Sequence, residues 1–123
     1  MKPTDPGADD AYLYIYILRD GAGPEYDRRH REVWPRMLRL LERAGIYDYQ
    51  IWRRDELVVC RMRAREGYAE ANATLHANDV QREWSSTLAD LFESIADESG
   101  APLWLTEVFR FDMPDIRHEI ERP

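Results

Sequence analysis

Cysteine is almost missing from this 123-residue chain: Cys60 is the only one, so no intrachain disulfide can form and no cysteine cluster can hold a metal. That scarcity points to a reducing compartment. No apolar run approaches the ~20 residues needed to cross a bilayer. Residues 1–10 carry prolines and aspartates where a signal peptide would have a basic stretch and then an apolar one. The expectation is a soluble cytoplasmic protein with no membrane partner. Positive charge is scarce too. With a net charge of -7, a pI near 4.9 and Lys2 as its sole lysine, the chain lacks the basic surface that releases counterions from a phosphate backbone, which argues against DNA or RNA as a partner. The three histidines, His30, His76 and His118, show no ligand spacing, and no glycine-rich phosphate loop occurs, so neither a metal centre nor a nucleotide site is expected.

The length suits one domain with a real core. Residues 11–112 hold the apolar patterning, while 1–10 and 113–123 read as polar tails with little to bury. Tyr12 to Leu18 is aromatic and β-branched and reads as a strand ending at the turn signal Asp20-Gly21-Ala22-Gly23-Pro24. A helix follows, with apolar positions at Val33, Met37, Leu38, Leu40 and Leu41 and Gly45 as its stop. Pro35 falls inside it and predicts a kink or a break. Ile46–Trp52 and Leu57–Met62 read as a hairpin across Arg53 to Glu56. A second helix, split near Asn78 as an N-cap, runs through Trp84, Leu88, Leu91 and Phe92, and Leu103–Phe111 is the last strand. The order is β-α-β-β-α-β, a ferredoxin-like α+β fold with a four-stranded antiparallel sheet. Both helices on one side leave the other sheet face bare, and the alternation along Tyr12, Tyr14, Tyr16 and along Leu103, Leu105, Phe109, Phe111 predicts a homodimer packed sheet to sheet.

The run from Tyr26 to Pro35 concentrates the chemistry. Tyr26 and His30 stand at i and i+4, on one helical face. They share a stripe with Trp34 or Met37 and with Leu41, so His30 faces the sheet, where it either finds a hydrogen-bond partner or lines a cavity. An imidazole beside a phenol is suited to moving protons on a small polar molecule. Tyr49 is placed on the parity of Tyr47 and Ile51, from which its hydroxyl either reaches a ligand or packs as an ordinary strand aromatic. Trp84 is core packing or a platform for the apolar face of a sugar. His76 and His118 read as solvated, and Cys60 as a buried structural thiol.

Tyr26-x-x-x-His30-x-x-x-Trp34-Pro35, Gly45-x-x-x-Tyr49-x-Ile51, Trp84 within Asp79 to Trp84, and Glu107-Val108-Phe109 together make the chain resemble the L-rhamnose mutarotase family, from about residue 12 to 111. The resemblance implies a dimeric α+β barrel and an isomerase that interconverts the α and β anomers of L-rhamnose or a related 6-deoxy hexose without a cofactor. It further implies His30 as proton donor, Tyr26 and Tyr49 as sugar contacts, with Trp34 beside them, and Trp84 as the stacking platform. Tyr26, Tyr49 or a water would take the anomeric proton. Ser85 stands where members acting on rhamnose tend to carry a second Trp, which implies a wider pocket or one refilled by Trp52 or Trp104. The same architecture also hosts polyketide cyclases and other small-molecule isomerases, and a non-catalytic ligand-binding domain would share it.

Overall fold

In the computed structural model, which describes residues 11–111, β1 (Tyr12–Leu18) occupies the middle of an antiparallel sheet. Its alternation explains the position: Tyr12, Tyr14 and Leu18 are buried on one face, while Leu13, Ile15 and Ile17 point to the other. β2 (Ile46–Arg54) and β3 (Leu57–Ala64) form a hairpin whose buried face continues that pattern, with Tyr12 opposite Met62, Tyr14 opposite Cys60 and Ile51 opposite Cys60 on its other side. The hairpin closes across Asp55 and Glu56, so β2 runs two residues further than its apolar pattern predicts, and β3 runs two further at its other end, where Ala64 pairs with Ile46. Asp55 adopts a φ of 50°, a left-handed conformation that Asp tolerates in tight turns.

Both helical regions break where the sequence predicts. α1 (Gly23–His30) and α2 (Pro35–Arg43) are separate because Pro35 starts a helix readily but cannot continue one. The residue before it, Trp34, is accordingly extended, with ψ 137°. α3 (Tyr68–His76) and α4 (Asp79–Leu88) part at Asn78, whose Oδ1 accepts the Val80 amide at 2.9 Å. Gly45 takes a φ of 83° after α2, as a helix stop requires. Residues from all these helical regions, among them Tyr26, Ala44, Ala71 and Leu88, pack on the same sheet face as Val58, Cys60 and Ala64.

Three expectations need correction. The second helical region ends at Leu88, and after a 3-10 turn (Ala89–Leu91) Phe92 enters a short strand, β4 (Phe92–Ser94). Phe92 packs against the rings of Tyr16 and Tyr26, a demand that only an extended backbone beside β1 satisfies. The final strand is likewise shorter than Leu103–Phe111: β5 (Leu103–Trp104) pairs with Tyr14 and Ile15, and one further bond joins the Leu105 amide to the Leu13 carbonyl at 2.9 Å. β4 and β5 thus share one edge of β1, the fourth position of a ferredoxin-like sheet in the order β2-β3-β1-β4. Val108, Phe109 and Phe111 lie beyond it and are exposed. Tyr47 does not share the parity of Tyr49, because a β-bulge between Ile46 and Asp48 turns it outward, under the Arg65 guanidinium. The predicted tails and His118 fall outside the described residues.

α1 is tied to β2 by a two-pronged ion pair, Arg53 Nε and Nη2 donating to Asp27 at 2.8 and 2.7 Å. Gly23 makes room for it: a Cβ there would lie 2.7 Å from Arg53 Cζ. Gly23→Ala is therefore expected to push Arg53 off Asp27. Because Asp27 is 38% exposed, the loss should be only about 1 kcal/mol, read as a lower urea midpoint at unchanged slope. A midpoint equal to the parent's would show that the clamp contributes nothing.

Candidate active site

α1 carries Tyr26 and His30 one turn apart, and the fold makes them neighbours. Tyr26 is 3% exposed and stacks on the His30 imidazole, ring centres 4.2 Å apart. The carbonyl of Tyr26 accepts a hydrogen bond from His30 Nδ1 at 2.9 Å, which places the ring proton on Nδ1 in the neutral imidazole and leaves Nε2 as the working nitrogen. Trp84 of α4 meets the imidazole edge-on at 5.7 Å. Behind it stands Trp34, 5.2 Å from Trp84, with the Arg36 guanidinium over its ring at 4.5 Å and Arg36 paired to Glu83 at 2.9 Å.

His30 and Trp84 border a cavity of about 260 Å³ between helices and sheet. His30 and Trp84 form one wall, the phenols of Tyr14 and Tyr49 the floor, and Asn72 and Gln81 its polar side, with apolar chains of α2, α3 and the β2–β3 hairpin completing it. The Tyr14 and Tyr49 hydroxyls are 2.9 Å apart. Burial pushes both well above the usual phenol range, so each keeps its proton at any working pH. They can donate hydrogen bonds but cannot serve as bases. Below them the Cys60 thiol, with no exposed surface, is pushed up by burial to about 12 and is no nucleophile. On the other side of His30 a second cavity, about 290 Å³, is lined by Tyr26, Asp27, Arg31, Trp52 and Arg53.

Of the predicted site residues, the fold brings His30, Tyr49 and Trp84 together around one cavity. Tyr26 is not on that wall. It is buried behind His30 and lines the second cavity with it, and burial raises its phenol, so it keeps its proton and is no base. Trp34 also stands outside, backing Trp84. Ser85 is exposed, and neither Trp52 nor Trp104 refills its place: Trp52 borders the second cavity, and Trp104 packs on Tyr12, Tyr14 and Tyr68. Tyr14, Asn72 and Gln81 escaped the sequence reading. A signal existed, since Asn72 lies between Tyr68 and Leu75, and Gln81 beside Trp84 and Leu88, at helical spacing: polar residues on otherwise apolar stripes.

The profile of a family described as L-rhamnose mutarotase matches residues 12–111. The chain is similar to the L-rhamnose mutarotase of Phocaeicola vulgatus, 32% identical over 97 residues that make up 78% of this chain and 92% of that one. It is 35% identical to the L-rhamnose mutarotase of Burkholderia ambifaria over 108 residues, 85% of this chain and 99% of the relative. Among solved structures, the L-rhamnose mutarotase of Formosa agariphila superposes with a TM-score of 0.66 at 21% identity, covering 85% of this chain and 100% of that one, a likeness of fold.

Proposed function

Because the chain belongs to the L-rhamnose mutarotase family, we propose that it is an isomerase that interconverts the α and β anomers of L-rhamnose or a related 6-deoxy hexose in this cavity. The observation that carries the reading is the fixed imidazole: Nδ1 is committed to the Tyr26 carbonyl, and His30 borders a cavity whose other polar groups are hydroxyls and carboxamides. Protonated at Nε2, His30 gives its proton to the ring oxygen as the C1–O5 bond breaks. The anomeric hydroxyl loses its proton to a solvent water, since the phenols at hand are held in their protonated form. The products of that step are an aldehyde at C1 and a hydroxyl at C5. Rotation about C1–C2 turns the other carbonyl face to O5, and closure returns both protons.

The Tyr49 hydroxyl donates to the sugar, with Tyr14 orienting it, and Trp84 offers its ring to the apolar sugar face. The cavity volume, about 260 Å³, lies just below the ~300–1,000 Å³ of drug-sized sites and suits one monosaccharide, not a polycyclic polyketide. The enzyme works as a homodimer through the bare sheet face, in the cytoplasm, where its buried, unpaired Cys60 thiol needs no oxidised partner.

Saturation-transfer NMR between the two anomer signals of L-rhamnose tests the reading. Exchange should rise in proportion to added protein, and an unchanged rate beside the buffer control would refute it. Tyr14→Phe should keep the fold and slow exchange roughly 3–10-fold, the worth of one neutral hydrogen bond of about 0.5–1.5 kcal/mol. An unaltered rate would remove Tyr14 from the machinery.

A further inference from the structure

His30 is the last residue of α1, a helix of eight residues that starts without a side-chain cap and is followed by a turn before Pro35 opens α2. A helix so short does not hold itself together in water, and its end is where fraying starts. The proton donor therefore depends on what fastens α1 from outside. The Asp27–Arg53 pair ties the middle of α1 to β2. Arg29 ties its end to α4. Three-quarters buried, its side chain is held by Glu25 one turn earlier, to which Nε donates at 3.0 Å, while Nη1 donates to the Thr87 carbonyl and to Asp90 Oδ1 at 3.3 Å. Thr87 lies in the last turn of α4, where the negative end of the helix dipole favours a guanidinium. Its hydroxyl donates in turn to the Trp84 carbonyl at 2.6 Å.

Each end of this tie adjoins a group of the cavity wall. Arg29 precedes His30, Thr87 sits one turn after Trp84, and the two rings meet edge-on at 5.7 Å. Arg29, Thr87 and Asp90 themselves line neither cavity, so the tie runs behind the wall. We propose that Arg29 is a positioning residue: by fastening the end of α1 to the last turn of α4 it sets the spacing of His30 and Trp84, and so places the proton donor against a sugar held on the Trp84 ring. This rests on the mutarotase reading above and deepens it. Proton transfer needs donor and acceptor within about 2.6–3.2 Å, and a displacement of about 1 Å is enough to lose most of the rate. Binding through Trp84 and the phenols does not share that sensitivity.

Arg29→Met keeps the aliphatic stem and removes the guanidinium. Measured with L-rhamnose well below its melting temperature, it should lose roughly 10–100-fold in kcat for anomer exchange with KM nearly unchanged. Arg29→Lys, which keeps the charge and a donor for the Thr87 carbonyl, should lie between the two. Arg28→Met is the control: Arg28 stands on the same helix and pairs with the same Glu25, at 2.9 Å, and with Glu32, so its loss removes a guanidinium without loosening α4 and should leave kcat at the parent value. A second readout needs no sugar. The His30 ring protons lie in the ring-current field of Trp84, and their NMR shifts should move in Arg29→Met and stay in Arg28→Met. If Arg29→Met melts lower but keeps the parent kcat and the parent His30 shifts, Arg29 is a structural clamp only and the proposal is overturned, while the mutarotase reading stands. An equal loss of kcat in Arg28→Met would overturn it too. Should Arg29→Met not fold, Arg29→Lys decides, with parent kcat and parent shifts counting against the proposal. If the parent accelerates no sugar, the mutarotase reading falls and takes this proposal with it.

Discussion

His30→Ala should lose roughly 10²–10⁴-fold in anomer exchange, the contribution of one positioned proton-transfer group, while folding nearly as well as the parent. The argument for a specific loss is geometric. The Nδ1 bond to the Tyr26 carbonyl at 2.9 Å and the two flanking rings, Tyr26 at 4.2 Å and Trp84 at 5.7 Å, hold the imidazole in one orientation. Those ring contacts are worth about 0.5–1.5 kcal/mol each, so their removal should cost only about 1–3 kcal/mol out of the ~5–15 kcal/mol of a small domain. The gap left between Tyr26 and Trp84 has the shape of an imidazole, and added imidazole should restore part of the exchange. Saturation transfer on parent and variant, with thermal melts alongside, reads both effects. A variant that melts normally and exchanges anomers at the parent rate would show that His30 is not the acid.

Much of this site was legible in the sequence, for reasons that separate local from long-range information. Tyr26 and His30 are four residues apart on one helix, a relation fixed by helical geometry alone, and Pro35 and Asn78 mark the helix breaks because their backbone chemistry acts within a turn. The same reasoning left the depth of Tyr26 open. A helical stripe tells which residues face the sheet but not which of them meets empty space, and the Tyr26 ring fills the core beneath His30. Tyr14 joined the floor through sheet register: the pairing of Tyr14 with Cys60 and of Tyr49 with Met62 brings two phenols 35 residues apart to 2.9 Å. No local pattern encodes that register. Tyr47 went astray for the same reason, since one bulge residue in β2 reverses the facing of everything on its far side.

Ile15→Arg should convert a dimer into a monomer. Ile15 sits at the centre of the bare sheet face, opposite Val59 on β3 and Leu103 on β5, with Leu13 and Ile17 along the same strand. The patch is amphipathic at its β2 end, where Asp48 pairs with Arg61 at 2.9 Å, and apolar at the middle, the profile of an interface core beside a polar rim. Trp52, Leu57 and Leu13 leave 53%, 40% and 37% of their surfaces to water in the single chain, a large exposed apolar area at about 25 cal/mol per Å². A two-fold axis through such a face would bury the substituted residue twice, once from each protomer. Each buried guanidinium without a counter-charge costs several kcal/mol, and two of like sign repel, so dissociation should strengthen by roughly 10³-fold or more. The helices and the cavity lie on the opposite sheet face, so the variant should keep the parent's far-UV circular dichroism. Sedimentation over a dilution series distinguishes the outcomes: a parent dimer and a monomeric variant support this face as the interface, whereas a variant that sediments as the parent does at every concentration would place any dimer contact elsewhere.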